Sequence, residues 1–514
     1  MASPRPRFEI GPFFHLQEGL LAGLKREYLR RELWLPLKRE GDVLTVLIAD
    51  PDNLPKRDTV AQILKGKEIR FVRAAPEEIL QLIDRAFDGE EMGSAIRQEA
   101  TRAEAEGDAR LPTESDSVIV RLVNRIINDA YDRRASDIHI EPDVKDRDVK
   151  VRIRVDGECL PLDVLPFEYR SAVVSRIKIM SNLDITERRL PQDGKIAFRR
   201  PDGEEIELRV ATIPTHGYVE DVVLRILTKG RIMTLEELAM EPETYEGFLN
   251  ILKKPYGLIL IVGPTGSGKT TTAHAALHIL NRPNTKIWTA EDPVEIAQQG
   301  IRQVQVHHKI GYDFKQAMRA FLRADPDIIM VGEMRDYETA KMGIEASLTG
   351  HLVLSTLHTN NAPETIVRLL DMGIDPFAFA DSLLCVLAQR LVRSLCVHCR
   401  EEYHPSREEY DELARHYDEK YFAALNVAYD ERLRLFRPRG CPECNHTGYR
   451  GRMGLFELLV VTDQIKHHII NKKSIPSLRR TALNEGMRTL LQDGIRKILQ
   501  GRTDLMEVLS VCMR

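Results

Sequence analysis

Gly263-Pro264-Thr265-Gly266-Ser267-Gly268-Lys269-Thr270 has the spacing G-x4-G-K-T, with the apolar run Leu258 to Val262 before it and a helical stretch, Thr271 to Leu280, after it. Strand, glycine-rich loop and helix are the context in which this spacing cradles a phosphate. The glycines let the backbone curl so that its N–H groups and the helix N-terminus face the anion. In that arrangement Lys269 reaches the β- and γ-phosphates, the Thr270 hydroxyl ligates Mg²⁺, and Thr271 opens the helix behind them. The chemistry is binding of a nucleoside triphosphate with Mg²⁺. Downstream, Asp327 to Val331 is an apolar strand that runs into Gly332-Glu333. The magnesium-binding strand of such sites usually ends Asp-Glu. Here Gly332 stands in the Asp position, which leaves Glu333 to polarise the attacking water and leaves magnesium to Thr270 and water.

A second chemistry sits in the cysteines. Of the 7 in the chain, four form the pairs Cys396-x2-Cys399 and Cys441-x2-Cys444. Four thiolates at tetrahedral reach make a closed structural Zn²⁺ site with no open position for catalysis. His398 and His446 stand beside the pairs as substitutes, but the symmetry of the pairs favours an all-cysteine site; redox cysteines or unliganded thiols are the alternatives. Cys159, Cys385 and Cys512 show no partner pattern, and Cys385 lies in an apolar stretch that reads as core.

Such groups need scaffolds, and 514 residues provide about three to four domains at roughly 150 residues each. Residues 1–87 read as a small α/β domain, with strands at Asp42 to Ile48 and Ile69 to Val72, a turn at Asp50 to Asn53 and a helix from Pro76 to Phe87. In 88–116 apolar periodicity disappears, which fits a mobile linker or a solvated helix. A second domain, 117–229, opens on an amphipathic helix (Val118, Ile119, Leu122, Val123, Ile126, Ile127, Ala130). It continues with the alternating strand Val149 to Val155 and a hairpin, Ile196 to Arg200 and Ile206 to Val210, joined at Asp202-Gly203. Thr234 and Glu237 have the spacing of a capping box that starts a helix into the third domain. That domain, 230–514, carries the phosphate loop, a zinc module at about 394–455 that includes a helical excursion between the cysteine pairs, and C-terminal helices.

Several ordered motifs resemble a known family. Thr289 to Glu295 (TAEDPVE), Asp325 to Asp336 (DPDIIMVGEMRD) and Thr349 to Asn360 (TGHLVLSTLHTN) are similar to the aspartate box, atypical Walker B and histidine box of the type II secretion and type IV pilus assembly ATPases. Ala135 to Pro142 (ASDIHIEP), Arg189 to Ile196 (RLPQDGKI), Leu208 to Thr215 (LRVATIPT) and the stretch around Cys441 and Cys444 extend the resemblance over roughly Ser117 to Arg514. It implies a multidomain α/β protein: a RecA-like P-loop ATPase core preceded by a PAS-like α/β domain and a small N-terminal α/β domain, working as a homohexamer. It also implies that arginines of the second domain, here Arg209 and Arg225, reach the phosphates of a neighbouring site, where a guanidinium neutralises transition-state charge. From the residues alone Arg209, alternating with Leu208 and Val210, would be a solvated strand arginine. By the same resemblance Glu291 and Glu295 position Mg²⁺ or water, and His351 or His358 senses the γ-phosphate. The residues alone also allow a solvated face or a helix cap for the glutamates and a core position for the histidines. The cysteine module points to the assembly or secretion branch, because pilus retraction ATPases generally lack it.

Charge and hydropathy limit the partners. Lys plus Arg is 74 against 78 acidic residues, a net charge of −4, and no clustered basic, aromatic-interleaved segment stands out. Direct nucleic-acid binding is therefore not expected, and a nucleic-acid translocase is the rival reading; a docking module that binds ATP without turnover is another. The longest apolar runs fall far short of the ~18 residues a span needs, and MASPRPR is followed by no signal core. The expected place is the cytoplasm, reached by inner-membrane platform and docking proteins of a secretion or pilus machine. The first domain, similar to the assembly ATPases around Leu35-Pro36-Leu37 and Ala49-Asp50-Pro51, is expected to do that docking. It shows no paired RLG-type repeats, so no cyclic dinucleotide is assigned to it.

Overall fold

The computed structural model describes residues 20–21, 24–40, 43–64, 68–76, 79–80, 82–83, 117–227 and 232–513. The chain forms two compact units, Met1–Leu227 and Thr228–Arg514. The expected linker at 88–116 lies outside the described residues, as does most of the helix expected at 76–87.

In the first unit, a small sheet comprises β1 (Trp34–Glu40), β2 (Val43–Ile48) and β3 (Glu68–Arg73). β2 and β3 are the two expected strands and pair in parallel across the helix Leu54–Leu64. β1 is an addition. Pro36 argues against a strand in sequence, but β1 is an edge strand with a bulge between Pro36 and Lys38, where a missing N–H is tolerated.

The same unit holds a second sheet. Helix Ser117–Asp132 precedes β4 (Asp137–Asp143), β5 (Asp148–Val155) and β6 (Glu158–Pro166). Helix Arg170–Met180 then leads to β7 (Gln192–Arg199), β8 (Glu205–Thr215) and β9 (Val219–Leu227). The strand order is β6-β5-β4-β9-β8-β7, antiparallel throughout. Val149, Val151 and Ile153 of the alternating strand are buried with Ile126 and Ile127 of the first helix, which turns Arg152 and Arg154 to the opposite, polar face. Gly203 makes the expected hairpin turn with φ 89°.

The second unit opens differently from expectation. Glu237 Oε2 accepts from Thr234 N at 2.9 Å, but this half of a capping box closes only the short turn Glu236–Leu238; the helix starts at Pro242 and runs to Leu252. A 7-stranded sheet follows, in the order β12-β11-β13-β14-β10-β15-β18. Its strands are β10 (Gly257–Val262), β11 (Ile287–Glu291), β12 (Arg302–Gln305), β13 (Ile328–Val331), β14 (Leu352–Leu357), β15 (Leu383–Leu395) and β18 (Tyr449–Val460). All pair in parallel except β18, which is antiparallel to β15. β10, β13 and β14 are buried along their whole length, as strands covered by helices on both faces must be. Between β15 and β18 the chain makes the expected excursion: the ribbon β16 (Glu401–Tyr403) and β17 (Leu435–Arg437) with helix Arg407–Tyr417. Leu413 and Tyr417 of that helix share a core with Leu490, Ile495 and Ile498 of the C-terminal helices.

Candidate active site

The phosphate loop leaves the carboxyl end of β10 and enters helix Lys269–Leu280. Two glycines make its curl possible. Gly268 has φ 86°, and a Cβ on Gly263 would lie 2.5 Å from both the Gln389 carbonyl oxygen and Ser267 Oγ, so no side chain fits there. Lys269 Nζ donates to the carbonyl oxygens of Gly263 at 2.8 Å and Pro264 at 3.0 Å, which holds the ammonium over the loop. Burial lowers the Lys269 pKa from the ordinary lysine value; the Glu333 carboxylate opposes this and the Arg390 charge adds to it. Thr270 and Thr271 follow, both half-buried on the first turn of the helix.

Glu333 comes to the same place from β13. β14 pairs with β10 on one side and β13 on the other, with Leu357 opposite Val262 and Ser355 opposite Val331. The residues that follow these strand ends, Gly263, Glu333 and His358, therefore gather at one edge of the sheet, where ligands of parallel α/β sheets bind. Glu333 is largely buried between two cations or potential cations: Arg335 Nη2 lies 2.7 Å from Oε2 and His358 Nε2 3.1 Å from Oε1. Burial and the neighbouring Lys269 lower the His358 pKa, with Glu333 pulling the other way. At neutral pH the ring is therefore neutral, and Nε2–H donates to the carboxylate. Thr356 Oγ1 donates to Gly332 O at 2.6 Å and fixes the turn below Glu333. A Cβ on Gly332 would stand 3.0 Å from Ala290 O and 3.4 Å from Glu291 Cα. A side chain at 332 would therefore press tightly on the backbone at the end of β11.

Glu291, Glu295 and His351, the other residues the resemblance implies at the nucleotide, stand in three different settings. Glu291, 3% exposed at the end of β11, accepts from Thr289 Oγ1 at 2.5 Å and Gln303 Nε2 at 2.9 Å, and faces His274 Nε2 at 3.1 Å. Burial pushes its pKa up, but the hydrogen bonds from His274, Gln303 and Thr289 together outweigh it and the net shift is down. With both oxygens engaged in the interior, Glu291 ties the phosphate-loop helix to β11 through His274. Glu295 is exposed beyond β11, and among the described residues no hydrogen bond joins it to the loop. His351 stands at the wrong end of β14. Its carbonyl accepts from Gly257 N at 3.1 Å, at the start of β10, and its Nδ1 lies 2.8 Å from Ala346 O. The 6 residues of β14 separate it from His358 by roughly 20 Å, so of these two histidines it is His358 that stands at the edge of the sheet with Glu333. Sequence reasoning missed Arg335, His274 and Gln389. Arg335, two residues past Glu333, was the one with a local signal.

In the first unit Arg209 and Arg225 are direct cross-strand partners. They lie in a row running Arg154, Asp137, Arg225, Arg209 and Lys195 across β5, β4, β9, β8 and β7. Four cations share one carboxylate in that row, and opposed like charges are unfavourable. Asp137, largely buried and accepting from Ser136 Oγ at 2.7 Å, takes Arg225 Nε at 2.9 Å. Lys195 is paired outward with Glu207 at 2.7 Å.

The four expected cysteines meet in the second unit. Their sulfurs lie 3.9 Å (Cys396 to Cys441), 3.8 Å (Cys399 to Cys444) and 3.7 Å (Cys441 to Cys444) apart. A tetrahedron with Zn–S bonds of about 2.3 Å has edges of about 3.8 Å, whereas a disulfide would bring two sulfurs to about 2.05 Å. Cys441 N and Gly448 N donate to Cys444 Sγ at 3.2 and 3.3 Å, as amides do around a metal-bound thiolate. The donor set fits one tetrahedral ion. Cys385 is fully buried in the core, as expected.

A family model described as "Type II/IV secretion system protein" matches residues 112–510, and one described as "MshEN domain" matches residues 7–93. The type IV pilus assembly ATPase PilB of Myxococcus xanthus is 41% identical over 510 residues, covering 97% of this chain and 87% of that protein. The type II secretion system protein E of Xanthomonas campestris pv. campestris is 40% identical over 495 residues, covering 95% and 84%. Among solved structures, the Legionella pneumophila ATPase DotB is similar with a TM-score of 0.56 at 20% identity, over 76% of this chain and 95% of that one, a likeness of fold alone.

The geometry separates the two histidines. His358→Ala is expected to lower steady-state ATP turnover by about 10- to 100-fold, and His351→Ala to leave turnover and KM within about twofold. Equal losses in both variants would contradict the placement of His351 away from the loop.

Proposed function

Because the chain belongs to the type II/IV secretion system protein family and is an ATP hydrolase, we propose that it is the assembly motor of a pilus or of the pilus-like filament of a type II secretion machine. The observation that carries the reading is the convergence of Lys269, Glu333 and His358 on one edge of the sheet. ATP binds with its β-phosphate in the curl of Gly263 to Gly268 and with Lys269 swung from the loop carbonyls to the β- and γ-phosphates. Thr270 would hold Mg²⁺, which when bound would supply charge neutralisation at the phosphates. The hydroxyl donor set fits an ion that keeps most of its waters, so the missing carboxylate at Gly332 is tolerable. Glu333, steadied by Arg335 and His358, takes the proton of the attacking water. The water oxygen forms its bond to the γ-phosphorus as the bond to the β–γ bridging oxygen breaks, releasing ADP and phosphate. His358, between Glu333 and Lys269, registers whether the γ-phosphate is present.

Arg209 and Arg225 serve the site of the next copy in a homohexamer, where their guanidinium forks neutralise the phosphoryl-transfer charge. The crowded cationic row and the exposed side chain of Arg225 (61%) support this. Closure on ATP and release after hydrolysis then move the domains and work an inner-membrane platform from the cytoplasmic side. Among the described residues no helix is long and apolar enough to cross a membrane. Cys396, Cys399, Cys441 and Cys444 hold Zn²⁺, which cross-links the two ends of the excursion and does no catalysis.

Two variants and a metal analysis test this reading. Glu333→Gln is expected to bind ATP within a few-fold of the parent while its turnover falls at least about 100-fold; parental turnover would make Glu333 the wrong base. Elemental analysis of the purified protein is expected to give one zinc per chain. Cys441→Ser should lose the metal and make residues 394–455 the first site of proteolysis, since thiolate ligation supplies about 10–16 kcal/mol of apparent binding energy in small zinc peptides. A zinc-free protein with this module resistant to protease would contradict the assignment.

A further inference from the structure

We propose that Gln389 is a positioning residue of the nucleotide site: its side-chain amide sets the peptide of the phosphate loop that must face the phosphates. Gln389 lies within β15, in the otherwise mostly apolar run Leu383 to Val392, and is 2% exposed. Its Nε2 donates to the carbonyl oxygen of Ser267 at 2.7 Å. Its Oε1 is buried without a hydrogen-bond partner among the described residues, and so is Ser267 Oγ. A half-satisfied amide inside a sheet costs stability that a leucine or methionine of similar size would not. Packing therefore does not explain this residue.

The loop does. A peptide unit is planar and trans, so the N–H of Gly268 points opposite to the carbonyl of Ser267. Holding that carbonyl down against β15 turns the Gly268 N–H up into the concave side of the loop, where the phosphates bind. The flanking glycines Gly266 and Gly268, with φ of 79° and 86°, have wide conformational freedom, so without the hydrogen bond this peptide is free to flip. Gln389 meets the loop at two further points. A Cβ on Gly268 would lie 3.2 Å from its Nε2, and a Cβ on Gly263 would lie 2.5 Å from its carbonyl oxygen. That same carbonyl accepts from Arg390 Nη1 at 3.1 Å, while Arg390 Nη2 holds Asn360 O at 3.1 Å, two residues beyond His358.

The inference rests on the reading of the loop as an ATP site and is tested so that the two can fail separately. Gln389→Met keeps the length and removes the donor; Gln389→Glu replaces the donor with a second acceptor facing the Ser267 carbonyl. Thermal unfolding, binding of a fluorescent ATP analogue, and steady-state KM and kcat are measured for both, beside the parent and Lys269→Ala. Gln389→Met is expected to unfold within a few degrees of the parent. Its Kd and KM should rise about tenfold, in line with one buried acceptor left unpaired, while kcat at saturating ATP stays within about threefold; Gln389→Glu should lose more. If Gln389→Met does not fold, Gln389→Asn, which keeps an amide but cannot span the distance, is expected to show the same KM-selective loss. Parental Kd and KM in the folded variant, with binding abolished in Lys269→Ala, would overturn the role of Gln389 alone. Binding unaffected even by Lys269→Ala would overturn the reading of the loop and this inference with it.

Discussion

The parallel pairing of β14 with β10 on one side and β13 on the other is the constraint on which the site depends. Strand ends in register deliver the phosphate loop, Glu333 and His358 to one edge without any long side chain having to reach across the fold. A slip of one residue in either ladder would turn every side chain of that strand to the other face. Continuous apolar sequence makes such strands possible, because each must be covered on both faces, and it leaves the polar chemistry to the residues just past their ends.

The same close packing sets what the ends of the strands contain. β11 runs so near the end of β13 that a Cβ at Gly332 would stand only 3.0 Å from Ala290 O, a tight place for the acid that elsewhere helps hold magnesium. Glu291, one strand over, is taken up by His274, Thr289 and Gln303. Through His274 it is joined to the helix that begins at Lys269. Buried polar groups in this unit thus serve to place backbone: Glu291 places a helix, Thr356 a turn, and Gln389 a peptide of the loop.

Some of this was legible in the sequence. The phosphate loop and the cysteine pairs are local: the residues that make them are neighbours in the chain, and their types and spacing follow from ligand geometry. The alternating strand with Val149, Val151 and Ile153 could be read for the same reason, since its period matches its pleat. What could not be read depends on distance in sequence or on register. Gln389 meets Ser267 and Arg225 meets Asp137 only after sheets have formed, and neither contact leaves a local mark. His351 was grouped with His358 because both lie in one motif, yet a fully extended strand separates them. β1 was hidden by Pro36, whose cost at an edge with a bulge is small.

In the proposed homohexamer one chain's phosphate loop is completed by another chain's Arg225. Lys269→Ala and Arg225→Gln chains, each nearly inactive when assembled alone, are to be dissociated, mixed and reassembled, and ATP turnover measured. Mixed assemblies contain sites that pair an intact loop with an intact Arg225 from the neighbour, so turnover well above that of either variant alone is expected. No gain on mixing, in assemblies shown to contain both variants, would contradict it, as would parental turnover by Arg225→Gln alone.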